Sequence, residues 1–463
     1  MITLRRRVLA TITGAAALLA LVPAAAGGHS ASEQTDNEGP ALAHLRAYVE
    51  AFNAGDEASM RAFFRDHLAA SALEDMPVGK RLARHPATKR QLKSLAIEKV
   101  VGDLPFHGSL LVKAGNGMLF LLAGAVEKAS PNKLLSLSID VVQDPDSIVV
   151  PDPKADEKEL LAAVKAFLEE RAGADEFSGV VLVARNERVL FHEAYGFADR
   201  ESRVPNQRDT KFNLGSINKN FTRVAVLQLA RQGKLALEKP IKDYLPDYPN
   251  AEAAAKVRIR HLLGMTSGIG DFFGERYDAT PKEKIQTLRD YLPLFADKPL
   301  EFEPGTSNRY SNGGYIVLGL IVEKVTGVDY YTYVRENIFK PCGMADTDSY
   351  ARAEDIPNLA KGYTLEMGKG RVLNFATLPG RGSSAGGGYS TAGDLLKYVL
   401  ALKDGQVHLP DVANGIGIAG GAPGINSVVE WFPASGFIVI VLSNFDPPTA
   451  GDVARQIISW LPR

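Results

Sequence analysis

The sequence predicts a two-domain protein of mixed α+β (α/β) class, in which a small α+β domain precedes an antiparallel sheet flanked by helices and a helical subdomain. At 463 residues the chain is longer than a single hydrophobic core usually supports. Residues 41–148 show helical periodicity first and strand-like runs afterwards, which is typical of an α+β domain. Residues 157–463 have strand pairs near both ends and a long helical middle, which favours one sheet closed by the two ends of that segment.

Residues 1–26 have the pattern of a signal peptide. Three arginines at positions 5–7 precede an apolar, alanine-rich stretch over 8–22, and small residues at 24–26 provide a cleavage site. We expect cleavage there, a secreted or periplasmic protein, and no membrane span in the mature chain. The alternative is a membrane anchor, although no later stretch approaches the roughly 20 apolar residues that a spanning helix needs.

The overall composition argues against several classes of function. A formal net charge of −1, with no Lys/Arg run beyond the N-terminus, gives no electrostatic basis for binding nucleic acid. Cys342 is the single cysteine, so no intramolecular disulfide can form. The eight histidines form neither an H-E-x-x-H nor an H-x-H pattern. We therefore expect no metal site and no cofactor.

The segment after the signal peptide divides into a linker and the small domain. Residues 27–40 are small, polar and acidic, as linkers are. A helical repeat begins at Leu42. Strand-like runs then follow at 109–112, 118–123 and 134–142. With this order of elements, residues 41–148 resemble the nuclear-transport-factor-like cone, in which a curved sheet wraps a helix. The segment has no convergent catalytic residues, so we expect a role in docking, dimerisation or spacing.

Residues 149–156, with two prolines and acidic neighbours, are the predicted linker to the second domain, 157–463. The predicted elements of that domain are a helix over 160–168, a hairpin of 179–184 and 189–191, a second hairpin of 425–432 and 437–442, and a final helix over about 452–460.

The first candidate catalytic motif is S-x-x-K at Ser216 and Lys219. Ser216 opens a helical run, and residues i and i+3 share a helix face, so the hydroxyl and the amine can meet. The positive end of the helix and partial burial both lower the pKa of such a lysine and allow it to take the serine proton. An N-capping serine and a solvated lysine are the alternative. The second match, Ser130 with Lys133, falls in a proline-containing turn and is not expected to be catalytic.

The second candidate motif is Tyr310-Ser311-Asn312, which leads directly into an apolar helix. A tyrosine hydroxyl near a lysine can transfer protons, and the Asn312 amide can orient either a substrate or the lysine. The similar tripeptide Tyr248-Pro249-Asn250 lies in an acidic loop, where its proline suits a turn.

From about residue 157 onward, the chain resembles the β-lactamase-related serine hydrolases: class C β-lactamases, D-alanyl-D-alanine carboxypeptidases and their esterase relatives. Six blocks in the same order carry the resemblance: FNLGSINKNFT around Ser216, VRIRHLLGMTSGI (257–269), EPGTSNRYSNGGYIVLGLIVEKVTG (303–327), IFKPCGM (338–344), SSAGGGYSTAGDL (383–395) and GGAPGINS (420–427).

This resemblance implies a role for each candidate residue. Ser216 would be the nucleophile, and Lys219 and Tyr310 would share the general-base and general-acid work. Asn312 would position the acyl group, and the oxyanion would lie between the N–H groups of Ser216 and Gly421. The substrate would be a small ester, amide or peptide.

The third family motif departs from the expected pattern. A Lys-Thr-Gly or His-x-Gly triplet is expected just before GGAPG, and Ile418-Ala419-Gly420 stands there. In the family the basic or polar residue helps to bind a substrate carboxylate. Its loss argues against β-lactams and D-alanyl peptides as substrates, while the serine, lysine and tyrosine are all present. The alternative is that Ile418 is simply a core residue and that another residue, Arg309 or Arg381, receives the carboxylate.

Two other functional readings remain. Residues 382–386 match the G-x-S-x-G elbow around Ser384, but only His408 follows, and Pro379-Gly380 interrupts any preceding strand. The other is a cell-envelope binding protein that keeps the hydrolase fold and has lost efficient turnover, for which Ile418 and the N-terminal domain are the best arguments.

Overall fold

The computed structural model describes residues 39–104, 106–127, 130–142, 154–410, 412 and 415–462. Two compact units divide them: one runs from Lys165 to Ala454, and the other contains the residues up to Val164 together with those from Arg455 onward. The predicted signal peptide and most of both predicted linkers lie outside the described residues, so the predicted domain boundaries stay predictions. Every helix among the described residues is too short or too polar to cross a membrane.

Among the described residues, the N-terminal unit has four helices followed by a four-stranded antiparallel sheet of order β1-β2-β3-β4. The elements are α1 (Pro40–Ala54), α2 (Glu57–His67), α3 (Ala70–Asp75), α4 (Val78–Leu92), β1 (Leu95–Leu104), β2 (His107–Ala114), β3 (Leu119–Val126) and β4 (Leu134–Val142). Leu42, Leu45 and Phe52 recur at helical spacing along α1 and are fully buried against the sheet, which explains why this segment is helical.

The sequence analysis predicts the first strand at 109–112, and this is wrong because β1 precedes that run. Two irregularities interrupt the pairing of β1 with β2, one between Ile97 and Lys99 and one between Val100 and Gly102. Such bulges shift side chains from one face of the strand to the other, so the alternation that identifies a strand is lost.

The second unit is built on a five-stranded antiparallel sheet of order β13-β14-β15-β5-β6. The strands of this sheet are β5 (Gly179–Arg185), β6 (Arg188–Tyr195), β13 (Ile416–Ala422), β14 (Ile425–Phe432) and β15 (Phe437–Ser443). The shorter strands of the unit form two-stranded pairs outside the main sheet: β7 (Phe197–Asp199), β8 (Val204–Pro205), β9 (Phe212–Asn213), β10 (Tyr363–Glu366), β11 (Gly370–Leu373) and β12 (Tyr389–Ser390). The two predicted hairpins are β5-β6 and β14-β15, and they pair with each other through β5 and β15, as the sequence indicates. Strand β13 lies outside β14.

The described chain between β6 and β13 carries a series of α-helices separated by turns and loops. They are α6 (Asn218–Arg231), α7 (Ala251–Lys256), α8 (Ile259–Leu263), α9 (Glu275–Ala279), α10 (Leu292–Phe295), α11 (Asn312–Thr326), α12 (Tyr330–Val334) and α13 (Ala392–Lys403), with α5 (Glu157–Gly173) and α14 (Thr449–Ser459) near the ends of the segment. α6 and α11 pack in one hydrophobic core with the sheet, and the starts of these two helices carry the candidate site.

Candidate active site

Ser216 lies in a single 3₁₀ turn, Gly215–Ile217, that runs directly into α6. Gly215 has φ +52°, and a Cβ there would lie 2.9 Å from the nitrogen of Gly421, so the turn requires glycine. One helical turn later, Nζ of Lys219 lies 3.1 Å from Ser216 Oγ. The structure therefore brings the two ends of the S-x-x-K motif into hydrogen-bond contact.

Lys219 is buried, with 6% of its side chain exposed, which contradicts the alternative of a solvated lysine. Besides Ser216, its Nζ donates to Oδ1 of Asn312 at 2.7 Å and to the carbonyl of Ala385. Burial disfavours the charged amine and lowers its pKa to about 7, against an opposing effect of the Asp271 charge. A neutral amine has two N–H groups and one lone pair, so it can satisfy both carbonyl oxygens and direct the lone pair at the serine.

Tyr310 is the second group in contact with the serine. Its hydroxyl donates to Ser216 Oγ at 2.6 Å. Tyr310 as a whole is 41% exposed, but its hydroxyl end points into the site, and burial there raises the pKa of Tyr310 to about 12. The position of Tyr310 is set by Ser311, which caps α11 by accepting a hydrogen bond from the Gly314 nitrogen at 2.8 Å.

Asn312 faces the lysine, the second of the two orientations that the sequence leaves open. Its Nδ2 donates to Oδ2 of Asp271 at 2.6 Å, so the amide connects Asp271 to Lys219. A role for Asn312 in positioning an acyl group stays a prediction. Sequence reasoning missed Asp271, although it stands two residues beyond the family-like block that ends at Ile269.

Gly420 and Gly421 bring the edge strand β13 against the start of the serine turn. A Cβ on Gly420 would lie 1.9 Å from the carbonyl oxygen of Leu214 and 2.8 Å from the nitrogen of Ser216. Only glycine permits this approach, and the hydroxyl of Ser427 fixes it by donating to the same Leu214 carbonyl at 2.7 Å. The backbone of β13 thus passes beside the Ser216 nitrogen, where the predicted oxyanion position lies.

Ile418 shares one side of β13 with Gly420 and is half-buried against the main hydrophobic core, opposite the buried Val429. The two arginines that could replace a basic third motif each have a partner in the structure. Arg309 pairs with Glu301 at 2.9 Å, and Arg381 donates to the Ser349 carbonyl at 2.7 Å.

The competing motifs serve structural purposes. Ser384 of the G-x-S-x-G match is fully buried, and its hydroxyl donates to the Tyr315 carbonyl at 2.8 Å, so it cannot act as an exposed nucleophile. Ser130 lies in the turn between β3 and β4 of the other unit. Asn250 caps α7 by accepting from the Ala253 nitrogen at 2.9 Å. In the described part of the chain, no cluster of three or more His, Cys, Asp or Glu side chains could hold a metal ion.

Comparison with known proteins identifies the family. The Beta-lactamase family profile matches residues 164–414, which is more than half of the chain. The chain belongs to the beta-lactamase family. This beta-lactamase-family protein is 33% identical to Penicillin-binding protein 4* of Bacillus subtilis over 197 residues, which cover 42% of this chain and 43% of the relative. It is 32% identical to Esterase EstB of Burkholderia gladioli over 296 residues, 56% of this chain and 75% of the esterase.

A solved structure supports the same assignment. The penicillin-binding protein from Bacillus halodurans is 32% identical, with a TM-score of 0.57, and the match covers 63% of this beta-lactamase-family protein and 98% of that structure. The predicted fold class is thereby confirmed. The chain spans about half the length of the first curated relatives, 43% and 56%. The family profile begins at residue 164, so the resemblance of the N-terminal domain to the nuclear-transport-factor-like cone stays a prediction.

Proposed function

We propose that this protein is an exported serine hydrolase that forms an acyl-enzyme on Ser216 and acts on esters or on small amides or peptides. The observation that carries the proposal is the position of Ser216 Oγ, 3.1 Å from Nζ of the buried Lys219 and 2.6 Å from the hydroxyl of Tyr310. A serine becomes nucleophilic when a base within hydrogen-bond reach can take its proton. Export to a secreted or periplasmic location rests on the signal-peptide pattern of residues 1–26.

In this mechanism Lys219 is the general base. With a pKa of about 7, much of the amine is neutral at physiological pH. The lone pair of Nζ takes the proton of the Ser216 hydroxyl while Oγ attacks the carbonyl carbon of the substrate. The resulting ammonium keeps the carbonyl acceptors of Asn312 and Ala385, so the charge forms where hydrogen-bond partners already stand.

Tyr310 is the general acid of the same mechanism. Because its pKa is raised to about 12, the hydroxyl stays protonated and donates to Oγ rather than acting as a base. When the tetrahedral intermediate collapses, the bond to the leaving group breaks and Tyr310 passes its proton to the departing oxygen or nitrogen. The proton held by Lys219 then neutralises the tyrosinate. In the deacylation step, water attacks the acyl carbon and gives a proton to Lys219 or Tyr310. The bond to Ser216 Oγ then breaks, and Oγ regains a proton from the same pair of residues.

The oxyanion would be held by the N–H groups of Ser216 and Gly421. The close passage of β13 at Gly420 supports this assignment, since it brings a strand backbone beside the nitrogen of Ser216. Two backbone donors fixed before the reaction cost no reorganisation when charge develops on the carbonyl oxygen.

The charges and apolar surface around the site favour neutral substrates. Ile418 cannot donate a hydrogen bond to a carboxylate, and Arg309 is already paired with Glu301. Asp271, which accepts a hydrogen bond from Asn312, instead places a carboxylate near the site. A substrate carboxylate would lose water and meet like charge. The match to 75% of an esterase also supports neutral esters as the first substrates to test.

The nucleophile is tested by labelling the protein with a fluorophosphonate and mapping the modified peptide. The label is expected on Ser216 and is expected to be absent from the Ser216→Ala variant. Ser130→Ala, which changes the other S-x-x-K serine, is the matched control and should label normally. A label on Ser384, or none on a preparation that hydrolyses esters, would refute the assignment. Labelling of Ser216 without turnover of any ester or amide would favour the non-catalytic binding protein.

A further inference from the structure

Asp271 brings a carboxylate to the edge of the proposed active site. Its Oδ2 accepts a hydrogen bond from Nδ2 of Asn312 at 2.6 Å, and its Oδ1 accepts one from the backbone nitrogen of Phe273 at 3.0 Å. A carboxylate offers about four lone-pair positions, so about two remain open after these bonds. Asp271 is half-buried, and Phe273 is 53% exposed. Because the residue keeps some exposed surface, a donor group that enters from solvent can reach it.

Lys219 does not neutralise this carboxylate by contact. Nζ of the lysine bonds to Oδ1 of Asn312 at 2.7 Å, and the carboxylate bonds to Nδ2 of the same amide, so the amide lies between the two groups. Burial has the largest influence on the pKa values of Lys219 and Tyr310, and the charge of Asp271 acts to raise both. The field of the carboxylate therefore extends to both groups that contact Ser216 Oγ.

The two arginines closest along the chain to the site residues are paired with other carboxylates. Arg276 pairs with Asp297 at 2.6 Å, and Arg309 pairs with Glu301 at 2.9 Å. In the described part of the chain, Asp271 has no salt-bridge partner, and its printed contacts are two neutral N–H donors. A partly buried charge is stabilised by an opposite charge that replaces its lost water. The same field that disfavours an anionic substrate therefore attracts a cation to this place.

We propose, on the basis of the hydrolase activity proposed above, that Asp271 binds a primary ammonium group on the acyl part of the substrate. The preferred substrates are then esters or amides whose acyl group carries an amine. Asp271 lies beside Asn312, the residue that the family resemblance assigns to the acyl group. An ammonium has three N–H donors, which suit the open acceptor positions of the carboxylate. The exposed ring of Phe273 adds an aromatic surface, to which cations are attracted.

Matched nitrophenyl esters test the proposal on the full chain. The esters of β-alanine and butanoic acid differ by an ammonium in place of a methyl group, and those of 6-aminohexanoic and heptanoic acid form a longer pair. Each kcat/KM is divided by the rate of alkaline hydrolysis of the same ester. We expect the ammonium member of at least one pair to be preferred by about tenfold or more. At about pH 8 an alkylammonium is charged, whereas Lys219, with its pKa of about 7, is mostly neutral.

Asp271→Asn removes the charge and keeps the shape of the side chain. The preference for the ammonium ester should fall to about threefold or less in this variant. A ratio of two substrates is the readout, because a disturbed Lys219 would slow both esters alike. Glu275→Gln, which removes an exposed carboxylate from α9, is the matched control and should keep the preference.

Fluorophosphonate labelling of Ser216 in the same preparations separates this proposal from the proposed function. Labelled protein that hydrolyses both members of each pair alike would overturn the ammonium site and leave the serine hydrolase standing. Protein that neither labels nor hydrolyses any ester would overturn both. A preference that persists unchanged in folded Asp271→Asn would also overturn the ammonium site. If that variant fails to fold, the ratio measured on the wild-type chain decides the question.

Discussion

At the residue scale, the protonation state of Lys219 controls the proposed chemistry. A base must be deprotonated to accept a proton, so activity is lost as the pH falls below the lysine pKa of about 7. We predict that kcat/KM for a neutral ester rises through about pH 7 and then stays level, because the pKa of Tyr310 is raised to about 12. A rate profile measured from pH 5 to 10 checks this. An ascending limb of the profile centred near the pKa of an ordinary solvated lysine would contradict the prediction.

Asp271 provides a second readout of the same prediction. Its charge raises the pKa of Lys219, so Asp271→Asn should move the ascending limb of the profile to lower pH. Glu275→Gln is the matched control, since it also removes one carboxylate from the same region but lies exposed on α9. An identical shift in both variants would mean that the effect is general electrostatics and not the contact through Asn312.

We propose that Ile418 sets the charge preference of the substrate. A hydrogen bond to a charged group contributes about 1.5–3 kcal/mol, and every 1.4 kcal/mol is a factor of ten. We predict that a neutral ester has at least roughly tenfold higher kcat/KM than a matched ester carrying a carboxylate. Ile418→His should reduce the difference in kcat/KM between the two esters. Ile416→His, a matched change at the first residue of β13, should leave it unchanged. Equal values for the two esters in the wild-type protein would show that Ile418 does not govern substrate charge.

At the element scale, the site exists because α6 and α11 begin at the same point. Lys219 comes from the first turn of α6, and Tyr310 and Asn312 come from the start of α11. Lys219 and Tyr310 contact the same Ser216 Oγ, so the activity losses caused by removing each of them should not add. We predict that Lys219→Ala and Tyr310→Phe each lower kcat by about 10²–10⁴-fold. The double variant should lose far less than the product of the two single losses, and a loss equal to that product would contradict the shared role.

The same scale explains which parts of the site the sequence predicts. The i, i+3 spacing places Lys219 beside Ser216 without further information, and the GG pair before Ala422 marks the close approach of β13. Asp271 and the Ala385 carbonyl escaped prediction for physical reasons. A carbonyl contact leaves no side-chain signature, and Asp271 reaches Asn312 only because the loop after α8 folds back onto α11. Strand β1 escaped because its bulges break the alternating pattern.

At the scale of the whole molecule, all proposed chemistry lies in the unit from Lys165 to Ala454. We predict that a chain truncated to begin at Asp156 folds and hydrolyses a small activated ester with kcat/KM within a few-fold of the full chain. The rate with a neutral ester and a circular dichroism spectrum check this. A truncated chain that is folded but inactive would mean that the N-terminal residues contribute to the site.

The most direct test of the central claim is to trap the acyl-enzyme itself. The full chain is mixed with a neutral nitrophenyl ester, quenched in acid within the first turnovers, and analysed by intact mass and peptide mapping. The account predicts a mass increase of one acyl group, located on Ser216, and no such increase in Ser216→Ala. An acyl group on any other residue, or undiminished ester hydrolysis by Ser216→Ala, would contradict it.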